Sequence, residues 1–135
     1  MMTIGCVVAS WIACGTVPMI IYWGLKLINP SVFLLTSCLI TAIVAIPIGS
    51  SWPAAGTIGV ALMGIGMGLG VNPAMTAGAV VSGAYLGDKM SPMSDTTNLA
   101  PAVAEADLFD HIKSMMYTTG PAFVVTLIVY GLLGL

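Results

Sequence analysis

The chain has 135 residues, of which 59% are apolar and 6% charged, and its formal net charge is −2. An average soluble domain holds roughly 45–50% apolar and about 25% charged residues. Three basic and five acidic side chains cannot cover a water-soluble fold of this size, and they form no basic patch to hold nucleic acid.

The placement of the charges sharpens this exclusion. Residues 27–87 contain no Asp, Glu, Lys or Arg. As helix they would extend about 90 Å, roughly three times the hydrocarbon thickness of a bilayer. Residues 4–25 and 114–135 are further uncharged stretches of spanning length. Only helices and closed barrels satisfy their backbone in lipid, and runs without strict alternation predict helices. The chain therefore reads as an all-α, multi-pass protein of the cell membrane. Met1-Met2-Thr3 lacks the positive start of a signal peptide, and both ends read as abrupt, as in a piece of a longer protein. Lys26, Lys89 and Lys113 are too few to set an orientation. Cys6, Cys14 and Cys38 lie in apolar runs without the Cys/His clustering of a metal or redox site, so they are expected to pack helices.

In chain order, a first helix is predicted over 3–27. Gly5, Ala9 and Ala13 at four-residue spacing open it to close packing, and Pro18 is placed to kink it. Asn29-Pro30-Ser31 marks a turn and a new helix start. Three short segments follow. Residues 32–47 end at the breaker cluster Pro47-Ile48-Gly49-Ser50-Ser51-Trp52-Pro53; residues 54–70 stop at Val71-Asn72-Pro73; residues 74–87 enter a polar region over 88–107. Each is at or below the roughly 17–25 residues of a bilayer crossing. They read either as tightly turned full crossings with Trp52 as interfacial anchor, or as a re-entrant hairpin tipped by Gly49-Ser50-Ser51 followed by half of a broken helix. Length does not decide between the two. A final helix is predicted from Asp107, as cap, to about Leu133, with Asp110 favouring its positive end. His111 reads as an interfacial polar residue rather than a proton relay. Gly64, Gly66, Gly68 and Gly70 miss the nucleotide-loop spacing and read as overlapping G-x-x-x-G pairs for helix contact.

The chemistry concentrates in residues 83–101, where Asp88, Ser91, Ser94, Asp95, Thr96, Thr97 and Asn98 fall together with Pro92 and Pro101. The prolines interrupt a helix and free carbonyls, and hard cations take oxygen ligands of these kinds. Half-helix ends around an unwound stretch can hold ions at mid-membrane. A solvent-exposed connecting loop would share this composition. The density of acceptors and the short half-helix leading in weigh toward an ion site.

These residues carry a resemblance. Ser82-Gly83-Ala84-Tyr85, Gly87-Asp88-Lys89-Met90-Ser91-Pro92 and Ser94-Asp95-Thr96-Thr97-Asn98-Leu99-Ala100-Pro101 closely resemble the signature of the NhaC-type sodium/proton antiporter family. Gly15-Thr16-Val17-Pro18, Gly49-Ser50-Ser51-Trp52, Met63-Gly64-Ile65-Gly66, His111-Ile112 and Tyr117-Thr118-Thr119 support it, over nearly the whole chain. Glu105-Ala106 departs from the pattern, standing where a glycine-containing turn is expected. Members are longer, with two oppositely oriented halves, and the chain resembles most of the first half. The resemblance implies one half of an inverted-repeat transporter: a helix over 3–27, a re-entrant hairpin over 31–70, a broken helix over 74–104 and a helix over 107–134. It also implies that Ser50 and Ser51, at the hairpin tip, face the unwound stretch from Asp88 to Asn98.

The implied function is exchange of sodium for protons, with no cofactor beyond the transported ions. The implied partners are the lipid bilayer and the missing second half, and a homo-oligomer is compatible with the sequence. Sodium and proton would compete for Asp88 or Asp95, since removal from water favours a neutral carboxyl and oxygen-liganded sodium favours an ionised one. Lys89 beside Asp88 leaves Asp95 the favoured sodium ligand and Asp88 open. An exchanger of organic acids or amino acids on the same scaffold, a non-transporting membrane subunit and a degenerate fragment are the rival readings. An embedded enzyme would need a catalytic triad or metal-ligand spacing that the sequence lacks.

Overall fold

The computed structural model of the chain describes residues 29–134 and, before them, Cys6, Ala9, Ser10, residues 13–16, Met19, Tyr22, Trp23 and Lys26. Most of the helix expected over 3–27, including Gly5 and Pro18, lies outside the described residues. Within that stretch, positions 14 and 15 form a turn, with Gly15 at φ 74°.

The described residues fold into helices without a strand. Helix α1 spans Pro30–Ile48; α2 covers residues 51–68, with a π turn at Ala55–Gly59; α3 spans Pro73–Met90; α4 Asp95–Ala104; and α5 Leu108–Leu133. Of these, α1 and α5 are long and apolar enough to cross a membrane. The expected segment over 32–47 lengthens to 19 residues and that over 74–87 to 18.

The breaker cluster from Pro47 to Pro53 interrupts the chain over only two residues. Pro47 is accommodated in the last turn of α1, and Pro53 stands in the first turn of α2, where a missing N–H removes no helical bond. Gly49 takes the left-handed conformation, φ 69°, and its N–H closes α1 on the Ala45 carbonyl at 2.9 Å. In α2 the Thr57 hydroxyl donates to the Pro53 carbonyl at 2.8 Å, so a side chain competes for the backbone beside the π turn.

Past Gly49, α2 folds back along α1. Phe33 and Leu34 from the start of α1 share a core with Leu62 and Ile65 from the end of α2, and Ala45 meets Ala54 near the turn. Helix α2 ends at Gly70, φ 75°, and the Asn72 side chain accepts the Ala74 N–H at 2.9 Å to start α3. The glycine series in α2 thus divides its work. A Cβ on Gly66 would stand 2.7 Å from Thr76 Oγ1 and 3.0 Å from Phe33, so this residue serves packing; Gly70 has nothing within 4 Å and serves the turn.

Helix α3 lies against both arms of the hairpin and runs in the direction of α1. A Cβ on Gly83 would collide with the Cys38 carbonyl oxygen and lie 3.1 Å from the Ala42 nitrogen. One on Gly87 would collide with the Ala45 methyl and lie 2.5 Å from the Ala42 carbonyl oxygen. The sequence Ala79-x-x-x-Gly83-x-x-x-Gly87 is therefore the closest helix seam in the fold, with Ala79 fully buried on the same face. Helix α5 runs alongside, with Gly134 against the Ser31 carbonyl and Phe123, Leu127 and Tyr130 on the core. Its Tyr130 hydroxyl shares a 3.1 Å hydrogen bond with Ser82 of α3. The expected Asp107 cap is present, accepting the N–H groups of Phe109 at 2.9 Å and Asp110 at 3.4 Å. Glu105, where a glycine was expected, stands at φ 53°, a left-handed conformation that disfavours a side chain by about 1–2 kcal/mol.

Two outcomes follow for thermal unfolding in detergent. Gly83→Val should destabilise the chain by about 1–3 kcal/mol or prevent folding, because the α1 backbone cannot yield, whereas Gly120→Ala, with nothing within 4 Å, should not. Glu105→Gly should raise stability by about 0.5–1 kcal/mol by relieving the left-handed side chain; a loss would show that its conformation is not strained.

Candidate ion site

The break between α3 and α4 is four residues long, Ser91 to Ser94, shorter than the unwound stretch over 88–98 expected from sequence. Pro92 explains its position: it bars Ser91 from helical geometry, and Ser91 is extended at ψ 128°. Side chains then satisfy the break. The Ser91 hydroxyl accepts the Met93 N–H at 3.1 Å, and the Asn98 amide donates to the Pro92 and Ser94 carbonyls, both at 2.8 Å.

Asp88 stands in the last turn of α3 and is 7% exposed. Its Oδ1 accepts a 2.7 Å hydrogen bond from the Ser94 hydroxyl, which also lies 3.0 Å from the Thr96 hydroxyl. Thr97 reaches back from α4 and donates to the Asp88 and Lys89 carbonyls at 3.4 and 3.3 Å. Ser91, Ser94 and Thr97 are at most 1% exposed. A carboxylate, three hydroxyls and the carbonyls at the end of α3 thus share a small volume nearly closed to solvent. A buried polar group left without a partner costs about 1–3 kcal/mol, so each bond here also preserves the fold.

The other expected ligands are distributed differently. Asp95 and Thr96 are exposed in the first turn of α4, and Asn98 is half-buried in the next. Among the described residues the Asp95 side chain takes part in no hydrogen bond, and Lys89 forms no ion pair with Asp88 or Asp95. Ser50 stands before α2 in an extended conformation, without a side-chain capping bond, and Ser51 begins that helix; both are half-buried. The hairpin tip and the break meet through Gly49 and Met93: a Cβ on Gly49 would stand 2.8 Å from both the Met93 carbonyl carbon and its Cβ. The serines are thereby carried into the neighbourhood of the break. No group of three or more His, Cys, Asp or Glu side chains gathers among the described residues, and the polar atoms that do gather at the break are oxygen donors of the kind hard cations take.

Sequence reading missed the Gly83–Gly87 seam and the Ser82–Tyr130 bond. The seam carried a legible signal, the same four-residue spacing of small side chains that marked Gly64 to Gly70. The bond, which joins residues 48 positions apart, carried none.

Substitution can separate the inner from the outer residues of the site. Ser94→Ala should lower thermal stability in detergent by about 1–3 kcal/mol, because Asp88 loses its buried donor. Thr96→Ala, at an exposed position, should change it by less than about 0.5 kcal/mol. Equal effects would mean that the Ser94–Asp88 bond does not organise the break.

Comparison with known proteins agrees with this architecture. A family model described as the Na+/H+ antiporter family matches residues 83–135, from the α1–α3 seam through the candidate site to the end of α5. An Na+/H+ antiporter of Haemophilus influenzae is 53% identical over the whole chain, which spans 29% of that relative. The Na+/H+ antiporter NhaC of Alkalihalophilus pseudofirmus is 52% identical over 97% of the chain and 28% of its own length. The arginine/ornithine antiporter ArcD of Halobacterium salinarum is 50% identical over 95% of the chain and 26% of its own length. No solved structure matches. These proteins are named as membrane transporters rather than enzymes, and the chain spans less than a third of each. Over that span, the chain is similar to proteins named as Na+/H+ antiporters.

Proposed function

We propose that this chain forms the ion-handling part of a secondary transporter that exchanges sodium for protons across the cell membrane. The observation that carries the reading is Asp88: an almost fully buried carboxylate at the end of an interrupted helix, hydrogen-bonded to Ser94 of a break that meets a second interruption through Met93 and Gly49. The relatives named as Na+/H+ antiporters support the choice of ions.

In this reading α1 and α2 are the arms of a re-entrant hairpin, α3 and α4 are the halves of a broken helix, and the pair forms one half of an inverted repeat. A second half supplies the opposing wall. Proton and sodium exclude one another at Asp88. A bound proton neutralises the carboxylate, whereas sodium liganded by Asp88, Ser91, Ser94, Thr97 and nearby carbonyls requires it ionised. Ser50 and Ser51 complete the shell from the hairpin tip. Asp95, Thr96 and Asn98, on the outer turns of α4, meet the ion as it enters from the face that the second half covers. An empty, charged site at the bilayer centre costs roughly 2.5–3.5 kcal/mol, so the carrier crosses loaded with one ion or the other. Strict exchange follows from that penalty.

In this reading the buried Asp88 is the principal ion ligand and the exposed Asp95 an accessory one. The arginine/ornithine relative favours a second reading in which the cargo is an amino acid on the same scaffold.

Vesicles carrying the intact gene product test both readings. Asp88→Asn should reduce sodium-driven proton flux about 100-fold or more. Asp95→Asn should raise the sodium concentration for half-maximal flux about ten- to a hundredfold. Normal flux in Asp88→Asn removes that residue from the exchange. Accelerated release of preloaded arginine by external ornithine, with no sodium-driven proton flux, would replace the ion reading by the amino-acid one.

A further inference from the structure

One polar contact in the helix core has no part in the ion site. The Ser82 hydroxyl of α3 and the Tyr130 hydroxyl of α5 stand 3.1 Å apart, and both residues are half-buried. Among the described residues this is the only hydrogen bond that joins α3 to α1, α2 or α5. Gly78, one turn before Ser82 on α3, makes room for it: a Cβ there would stand 3.2 Å from the Tyr130 hydroxyl. Hydrogen bonds between membrane helices add little to association on average, so a single one among apolar surfaces points to placement rather than strength.

Helix α5 is itself registered on α1, with Gly134 against the Ser31 carbonyl and Gly131 facing Leu35, where a Cβ would stand 3.6 Å from Cδ1. These are the two helices long and apolar enough to cross a membrane. Helix α3 lies on α1 along the line of Ala79, Gly83 and Gly87, and the missing side chains leave no knob in the neighbouring helix to resist a roll about that line. Helix α2 closes one flank of α3, with Gly59 beside Val80 and Gly66 beside Thr76. At about 100° per residue, Val80 stands about 60° to one side of Gly83 and Ser82 about 100° to the other. The Tyr130 hydroxyl therefore holds the flank that α2 leaves open, and a hydrogen bond, which weakens steeply away from its length and angle, defines a rotation where apolar contact does not.

We infer that Ser82 and Tyr130 are positioning residues for the ion exchange: their hydrogen bond sets the rotation of α3 about its own axis, and with it the direction in which Asp88 faces. Their role rests on Asp88 being the exchanging carboxylate. Asp88 follows Ser82 in one uninterrupted helix, so a roll at one is carried whole to the other. A side chain ends about 5–6 Å from the helix axis, and a roll of about 20° moves it by about 2 Å. That displacement breaks the 2.7 Å bond that Asp88 accepts from Ser94. Without the Tyr130 hydroxyl, α3 divides its time between rotations, and only the fraction with Asp88 at Ser94 takes sodium. The apparent sodium affinity falls by that fraction. Maximal flux does not, because saturating sodium draws every copy into the competent rotation.

Sodium-driven proton flux in vesicles carrying the intact gene product reads this as a split between affinity and capacity. Tyr130→Phe and Ser82→Ala should each raise the sodium concentration for half-maximal flux about three- to fifteenfold and leave maximal flux within about twofold. The double variant should do no more than either single one, since both remove the same bond. Ser82→Thr, which keeps the hydroxyl, should restore native behaviour, and Gly78→Ala, which crowds the phenol, should act in the same direction as Tyr130→Phe. A readout independent of flux comes from nitroxides on Tyr85→Cys of α3 and Leu132→Cys of α5, both exposed positions, in a protein otherwise free of cysteine. Their separation should be narrowly distributed with Tyr130 in place and broader with Tyr130→Phe. Additive effects of the two single variants, a loss confined to maximal flux, or an unchanged distance distribution in Tyr130→Phe each overturn the proposal. Absence of sodium-driven flux in the native protein refutes the ion reading instead, and the nitroxide distances still decide whether Tyr130 holds α3.

Discussion

The fold depends on the contact between the glycine face of α3 and the backbone of α1. Gly83 and Gly87 let the two helices approach until side chains are excluded between them, with the Cys38 carbonyl and the Ala42 backbone taking the space of the missing Cβ atoms. In lipid there is little hydrophobic drive to hold helices together, so close backbone approach and the dispersion contacts it permits supply much of the association. That approach fixes how far α3 extends beside α1, and therefore where its last turn, bearing Asp88, lies relative to Gly49. The candidate ion site is in this sense a consequence of two missing methyl groups four residues apart.

The interruptions of the two helical pairs are made by different means. At Gly49 the chain turns through a left-handed residue and, after extended Ser50, begins a new helix at once. At Ser91 a proline forces extended backbone, and the freed groups are met by the hydroxyls of Ser91 and Thr97 and the amide of Asn98. The polar residues of the break therefore serve twice. They satisfy a backbone that lipid cannot, and they bring several oxygen atoms around Asp88. Such double use explains why residues so costly to bury sit in a chain with so few charges.

Much of this was legible in the sequence, for physical reasons. Uncharged runs fixed the helical membrane class, and Asp107 could be read as a cap from its place before an apolar run. The position of the α3–α4 break followed from Pro92. Its length did not, because helix persists to Met90 past Gly87, which packs against α1, and tertiary contact overrides the local preference of glycine. Composition likewise could not rank Asp88 against Asp95. Both carboxylates sit in similar local sequence, and only the fold buries one and exposes the other. Glu105 shows the opposite case: a glycine position recognised by pattern, occupied by a side chain, and still left-handed in the structure.

Proximity of the hairpin tip to the break is the claim on which the rest turns. It can be measured by replacing Ser50 and Met93 with cysteine in a protein otherwise free of Cys6, Cys14 and Cys38, and treating membranes with a short bifunctional thiol reagent. The account requires efficient cross-linking of this pair, as efficient as for a control pair at Leu35 and Gly131, where α1 meets α5. Cross-linking of the control without any between Ser50→Cys and Met93→Cys would contradict it.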